Sequence, residues 1–126
     1  MTKQESLELV RVACEALRDT KAETLDVIEI DEVSSVADYF VIASGTNVRQ
    51  MEAMVDAVEE KCMKAGFTLD HIEGHRNTNW TLMDYLGVVI HVFDEEARGF
   101  YDLARMWKDG KTLDPDTLEE AAKDSE

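Results

Sequence analysis

Positive charge is what this chain has least of. Thirteen lysines and arginines stand against 28 aspartates and glutamates in 126 residues, for a formal net charge of −15. A field of that sign repels phosphate backbones and anionic bilayers and favours basic partner surfaces, which argues against nucleic acid as the main contact and against a membrane partner. The acidity is not confined to the end. Residues 111–126 hold six acids and two bases, which leaves 22 acids and 11 bases upstream. Cysteine is nearly absent as well. Cys14 and Cys62 both sit in apolar, helix-like surroundings, so a disulfide framework is excluded and two reduced core thiols in a cytoplasmic protein are expected. Proline occurs once, at Pro115, and there is no internal repeat, linker or low-complexity stretch. No apolar run approaches the ~20 residues that cross a bilayer. Residues 1–5 show neither a secretory core nor a transit pattern. A soluble, cytoplasmic protein is the expectation.

What is present suits one domain. A chain of this length buries roughly two-thirds of the surface that its unfolded form exposes, enough for a core without staples. Leu7, Val10, Cys14 and Leu17 recur at helical spacing, and Thr2 with Glu5 can cap that helix. Residues 24–30 alternate and are β-branched, as in a strand. Residues 39–43 form a continuous apolar run, as in a strand buried on both faces. Asn47 can cap a second helix lined by Met51, Met54, Val55, Val58 and Cys62, with Gly66 placed to end it. Residues 67–73 suggest another strand. Residues 79–85 and 88–93 suggest a hairpin pivoting at Leu86-Gly87. Asp94 can cap a last helix on which Phe100, Leu103 and Trp107 share a core face. Residues 1–110 are expected to form the domain, and 111–126 an acidic, partly mobile tail that Asp114-Pro115 could start as a short helix. Helices interleaved with strands predict a single α/β domain, a mixed β-sheet flanked by helices.

Catalytic chemistry finds little support. His71 and His75 are four apart, but Gly74 and the strand-like residues around them argue against a shared helix face, and no third ligand follows; no metal is expected. His91 interrupts an apolar strand and reads as a hydrogen-bonded core histidine. Residues 44–47, Ser-Gly-Thr-Asn, join a strand to a helix start, a weak anion-site signal. Nucleotidyl transfer would need paired carboxylates after that turn. Glu29 and Asp31 precede it, and residues 88–92 carry no acid. Neither cysteine has a nearby histidine, and there is no nucleophile elbow. No cofactor is implied. The hairpin is more informative. Trp80, Leu82 and Asp84 alternate onto one face and Thr81, Met83 and Tyr85 onto the other. Either Trp80 is plain core, or it joins Leu82 in a compact docking patch beside an acid and a tyrosine.

Several blocks together resemble one family. They are Ser34-Ser35-Val36-Ala37-Asp38-Tyr39-Phe40-Val41-Ile42-Ala43-Ser44-Gly45, Arg49-Gln50, Glu73-Gly74, Trp80-x-Leu82-x-Asp84-Tyr85, Val88-Val89-Ile90-His91-Val92-Phe93 and Arg98-x-Phe100-Tyr101-x-Leu103-x-x-x-Trp107. In this order, over about residues 5–109, they are similar to the ribosomal silencing factor, or Iojap-like, family. The resemblance implies a nucleotidyltransferase-like α/β fold without catalysis. It also implies binding to ribosomal protein L14 on the large ribosomal subunit, a steric block to small-subunit joining and lowered translation, with a homodimer possible. Its docking surface would fall on Trp80, Leu82, Asp84, Tyr85 and Leu86. The chain departs from the family pattern at Leu86-Gly87, where Gly-Asp is usual, and at Ala104, where an acid is common. The alternative is a nucleotide- or metal-dependent transferase on the same fold.

Overall fold

The computed structural model describes residues 2–30, 37–74 and 80–94, and the backbone of 111–113. The first helix, α1 (Lys3–Asp19), opens with the predicted reciprocal cap. Thr2 Oγ1 accepts from the Glu5 N–H at 3.1 Å, and Glu5 Oε1 accepts from the Thr2 N–H at 3.1 Å. Two of the helix's orphan donors are thereby satisfied. Leu9, Val10, Ala13, Ala16 and Leu17 are fully buried along it. Strand β1 (Thr24–Glu29) then pairs antiparallel with β2 (Tyr39–Gly45), from Thr24 opposite Ser44 to Glu29 opposite Tyr39.

Helix α2 (Val48–Lys64) starts at Asn47, whose Oδ1 accepts from the Gln50 N–H at 2.8 Å. Its buried residues are the five that the spacing predicts: Met51, Met54, Val55, Val58 and Cys62. It ends in a Schellman arrangement. The Phe67 N–H donates to Cys62 O at 2.9 Å and the Gly66 N–H to Met63 O at 3.0 Å, while Gly66 takes φ +94, a region open to glycine.

The predicted strand over 67–73 shortens to β3 (His71–Glu73). Phe67 and Leu69 pack against the main core instead, and ladder pairing with the next strand runs only from His71 to Glu73. The hairpin forms as β4 (Trp80–Asp84) and β5 (Val88–Asp94). Residues Lys111–Leu113 add β6, antiparallel to β1, so the sheet extends past the boundary expected at residue 110. The predicted helix after Asp94 and the segment from Asp114 lie outside the described residues. The six strands run in the order β3-β4-β5-β2-β1-β6. Among the described strands only β2 and β5 pair in parallel, with Tyr39 opposite Val88 and Gly45 opposite Asp94.

Both described helices pack on one face of this sheet. Leu9, Leu17, Met51, Met54 and Val58 meet Val27, Val41, Met83, Val88, Ile90 and Val92 in the main core. Each such side chain contributes roughly 1.5–3 kcal/mol when buried. Lys61 ties the helices together at the surface through Glu15 (3.1 Å) and Asp19 (2.5 Å). A second cluster occupies the opposite face, with Ile28, Ile30, Ala37, Ile42, Val89 and Phe93 at its centre and Phe40, Trp80 and Leu82 packed against it.

Candidate docking surface

The strand period splits β4 cleanly. Thr81 and Met83 are buried toward the helices, while Trp80, Leu82 and Asp84 are half-buried on the opposite face. Trp80 therefore answers to both readings of the sequence: it packs on the second cluster and still keeps accessible surface. A two-residue turn fixes the register. Trp80 stands opposite Phe93, and Leu82 opposite His91. The Trp80 and His91 rings lie 6.2 Å apart at 16°, and His91 and Phe93 6.1 Å apart at 6°, with Phe40 edge-on to His91 at 5.4 Å. The Trp80 Nε1–H donates to His91 Nδ1 at 3.3 Å. His91 is 7% exposed, and burial pushes its pKa down to about 4. A neutral ring that accepts at Nδ1 is the hydrogen-bonded core histidine that the sequence predicts.

Tyr85 corrects the expected patch. It is 1% exposed and packs in the main core on the helical side, because the alternation that turns Leu82 and Asp84 outward turns Tyr85 inward. Its hydroxyl faces the Cys62 thiol, and burial raises the pKa of both groups, Cys62 to about 11. Tyr85 thus supports the hairpin from beneath and offers no contact surface.

Leu86 is the opposite case. It is 59% exposed and holds φ +75, a conformation that side chains with a Cβ rarely adopt. Several bonds hold it there. The Gly87 N–H donates to Tyr85 O at 3.0 Å, which closes a γ-turn around Leu86. Asp84 Oδ1 accepts from the Leu86 N–H at 2.7 Å. Gly87 O accepts from the N–H groups of Asp38 (2.8 Å) and Tyr39 (3.3 Å). Asp38 in turn accepts from the buried Ser6 hydroxyl at 2.9 Å. The turn that carries Leu86 is anchored to β2 and α1.

The other sequence candidates resolve into structural roles. At the sheet edge His71 pairs with Glu73 at 2.8 Å, and that bond raises the imidazole pKa; His75 lies outside the described residues. No group of three potential metal ligands gathers among the described residues. At the turn before α2, Gln50 Oε1 accepts from the Thr46 N–H (2.7 Å) and hydroxyl (2.8 Å), and Gln50 Nε2 donates to Thr20 O (3.2 Å) and Lys21 O (2.8 Å). The Thr46 N–H and hydroxyl and the Gln50 N–H at this turn are thus engaged within the protein. Gly45 leaves little space beside them, since a Cβ there would come within 3.1 Å of Met54 Sδ. The alliance of Trp80 with His91 and Phe93 went unread in the sequence, although a signal was there. A turn confined to Leu86-Gly87 pairs Tyr85 with Val88, and stepping back along the strands puts Trp80 against Phe93.

The described residues form a small α/β domain, with both described helices on one face of the sheet and an apolar, acid-bordered hairpin surface at the other. Comparison with known proteins agrees. The family model described as "Ribosomal silencing factor during starvation" matches residues 3–126, and the chain belongs to that family. A ribosomal silencing factor of Halalkalibacterium halodurans is 31% identical over 107 residues, covering 85% of this chain and 92% of that protein. A Chromobacterium violaceum crystal structure superposes with a TM-score of 0.79 at 30% identity, covering 86% and 88% of the two chains. A mouse protein named for mitochondrial assembly of the ribosomal large subunit is 33% identical over 96 residues, 72% of this chain and 41% of its own length. Membership makes this chain a non-enzymatic ribosomal silencing factor that regulates translation, and implies association with the large ribosomal subunit. The transferase alternative is thereby set aside. No helix among the described residues is long and apolar enough to cross a membrane.

Proposed function

We propose that this protein binds ribosomal protein L14 on the large ribosomal subunit through Trp80, Leu82, Asp84 and Leu86, and so blocks small-subunit joining by its bulk. One observation carries the reading: Leu86 stands exposed on a turn held open at φ +75, beside the half-buried Trp80, Leu82 and Asp84 of the same hairpin. An exposed apolar side chain in a costly backbone conformation, braced by surrounding bonds, belongs to a surface that something else covers. The net charge of −15 suits a basic ribosomal protein better than bare RNA. The name of the mouse relative, which refers to the large subunit, points the same way. The bacterial relatives favour the cytoplasm as the compartment.

Sedimentation through a gradient with purified large subunits, followed by addition of small subunits, tests this. The protein is expected to travel with the large subunit, to lower the yield of joined ribosomes, and to be captured by isolated L14. Protein left at the top of the gradient at micromolar concentration would overturn the reading.

Leu86→Gly separates contact from stability. Glycine relieves the positive φ, and the gain offsets its larger entropy loss, so the variant is expected to unfold at higher urea by up to about 1 kcal/mol. Its affinity for large subunits should fall severalfold nonetheless. A variant that binds as well as the parent would remove Leu86 from the surface.

A further inference from the structure

We infer that His91 is a positioning residue for docking: its Nδ1 takes the Trp80 indole N–H and fixes the plane in which that ring is presented. The inference rests on the docking role proposed for Trp80 and names what holds the residue in place. His91 sits directly across the strand pair from Leu82, one same-face step from Phe93, which itself opposes Trp80. The three rings lie within 20° of parallel, at centroid distances of 6.1–6.3 Å. Phe40 closes on His91 edge-first from β2. The imidazole is therefore held on several sides by packing while its one acceptor nitrogen meets the indole at 3.3 Å.

The choice of residue has a chemical reason. β5 is buried along its whole length, with Val, Ile and Phe at most positions, and another apolar residue at position 91 would pack without leaving a polar atom to satisfy. An imidazole there leaves a ring nitrogen that needs a donor, and Trp80 supplies it. In exchange, a half-exposed indole that could occupy several rotamers has one favoured orientation, so less entropy is lost when a partner closes over it. The arrangement also narrows what the partner can be. Indole has a single donor, and it is turned inward to His91. Trp80 therefore offers ring surface and no hydrogen bond, which calls for an aliphatic stem or a cation over the ring and not a carbonyl oxygen at its edge.

A double-mutant cycle tests this, with affinity for purified large subunits as one readout and the Trp80 indole N–H resonance of the free protein as the other. The Trp80 resonance is the one that disappears in Trp80→Phe. His91→Leu keeps an apolar side chain and removes the acceptor, and is expected to weaken binding about tenfold and to move the indole resonance. His91→Asn puts an acceptor oxygen near the place of Nδ1, and should recover most of the affinity and return the resonance toward its original position. In a Trp80→Phe background there is no N–H to hold, so His91→Leu should have no further effect on binding. Equal losses in both backgrounds, or an indole resonance that ignores His91→Leu, would overturn the positioning role. Since the resonance is read without ribosomes, a parent protein that fails to bind subunits would count against the docking surface alone.

Discussion

Large subunits should fail to retain Trp80→Ala at concentrations that saturate with the parent protein. Truncating a central aromatic anchor costs about 2 kcal/mol or more of binding free energy, or roughly thirtyfold in affinity. Two contributions add here. The indole itself is lost, and the cavity left between Phe93 and Leu82 frees the remaining hairpin side chains to shift. The same packing means that Trp80→Ala lowers stability, by about 1–3 kcal/mol. Affinity must therefore be measured well below the melting temperature, on protein whose unfolding curve shows a folded baseline. Trp80→Phe supplies the control, because it keeps most of the ring packing and should bind with intermediate affinity. Folded Trp80→Ala that binds within about threefold of the parent would place the anchor elsewhere.

The second large effect is on stability against acid. His91 is 7% exposed and its pKa is held near 4 by burial, against about 6.5 in an unfolded chain. Between those values the unfolded state binds a proton that the folded state refuses, so unfolding free energy rises with pH across the window. The contribution is complete above about pH 6.5 and is lost progressively as pH falls toward 4, to a total of about 3 kcal/mol. His71 works in the opposite sense. Its pKa is raised, chiefly by the bond to Glu73, so what it adds is fully present below pH 6.5 and fades above that; as an exposed group it adds little. Urea unfolding at pH 7 and pH 4.5 should therefore show a marked fall for the parent and a smaller one for His91→Leu, whose residue 91 does not titrate. Parallel curves for the two proteins would mean that carboxylates alone carry the acid sensitivity. The same measurement bears on function, because protonating His91 removes the acceptor that Trp80 uses.

Much of this architecture was legible residue by residue. The cap of α1 at Thr2 and Glu5, the five buried positions of α2 and the glycine that ends it each follow from local rules whose physics is complete within one helix turn. The two errors of extent have a common origin. Residues 67–70 look like a strand and Lys111–Leu113 look like tail, and in both places the outcome depends on whether a distant strand edge has room for a partner. Local sequence does not carry that information. At the hairpin, period-two alternation correctly divided β4 between faces. It also set Tyr85 on the face opposite Trp80 and Leu82, without saying which face is buried, while the motif match set Tyr85 among the contacts; in the structure Tyr85 is buried on the helical side. The strain at Leu86 lay beyond reach for a different reason: the γ-turn depends on the carboxylate of Asp84 and on Gly87 O reaching β2.

The parallel pairing at the middle of the sheet has a consequence for how this protein is made. Tyr39 meets Val88, and Gly45 meets Asp94, so the central ladder joins segments on either side of α2 and the two strands after it. Contacts of such separation form late and slowly compared with helices or hairpins. During synthesis, α1, β1, β2 and α2 emerge first and must wait with one side of β2 unpaired until β5 arrives. The hairpin that bears Trp80 and Leu86 is completed by that same strand. A nascent copy therefore cannot present the finished face of that hairpin until β5 has been made and paired with both β4 and β2.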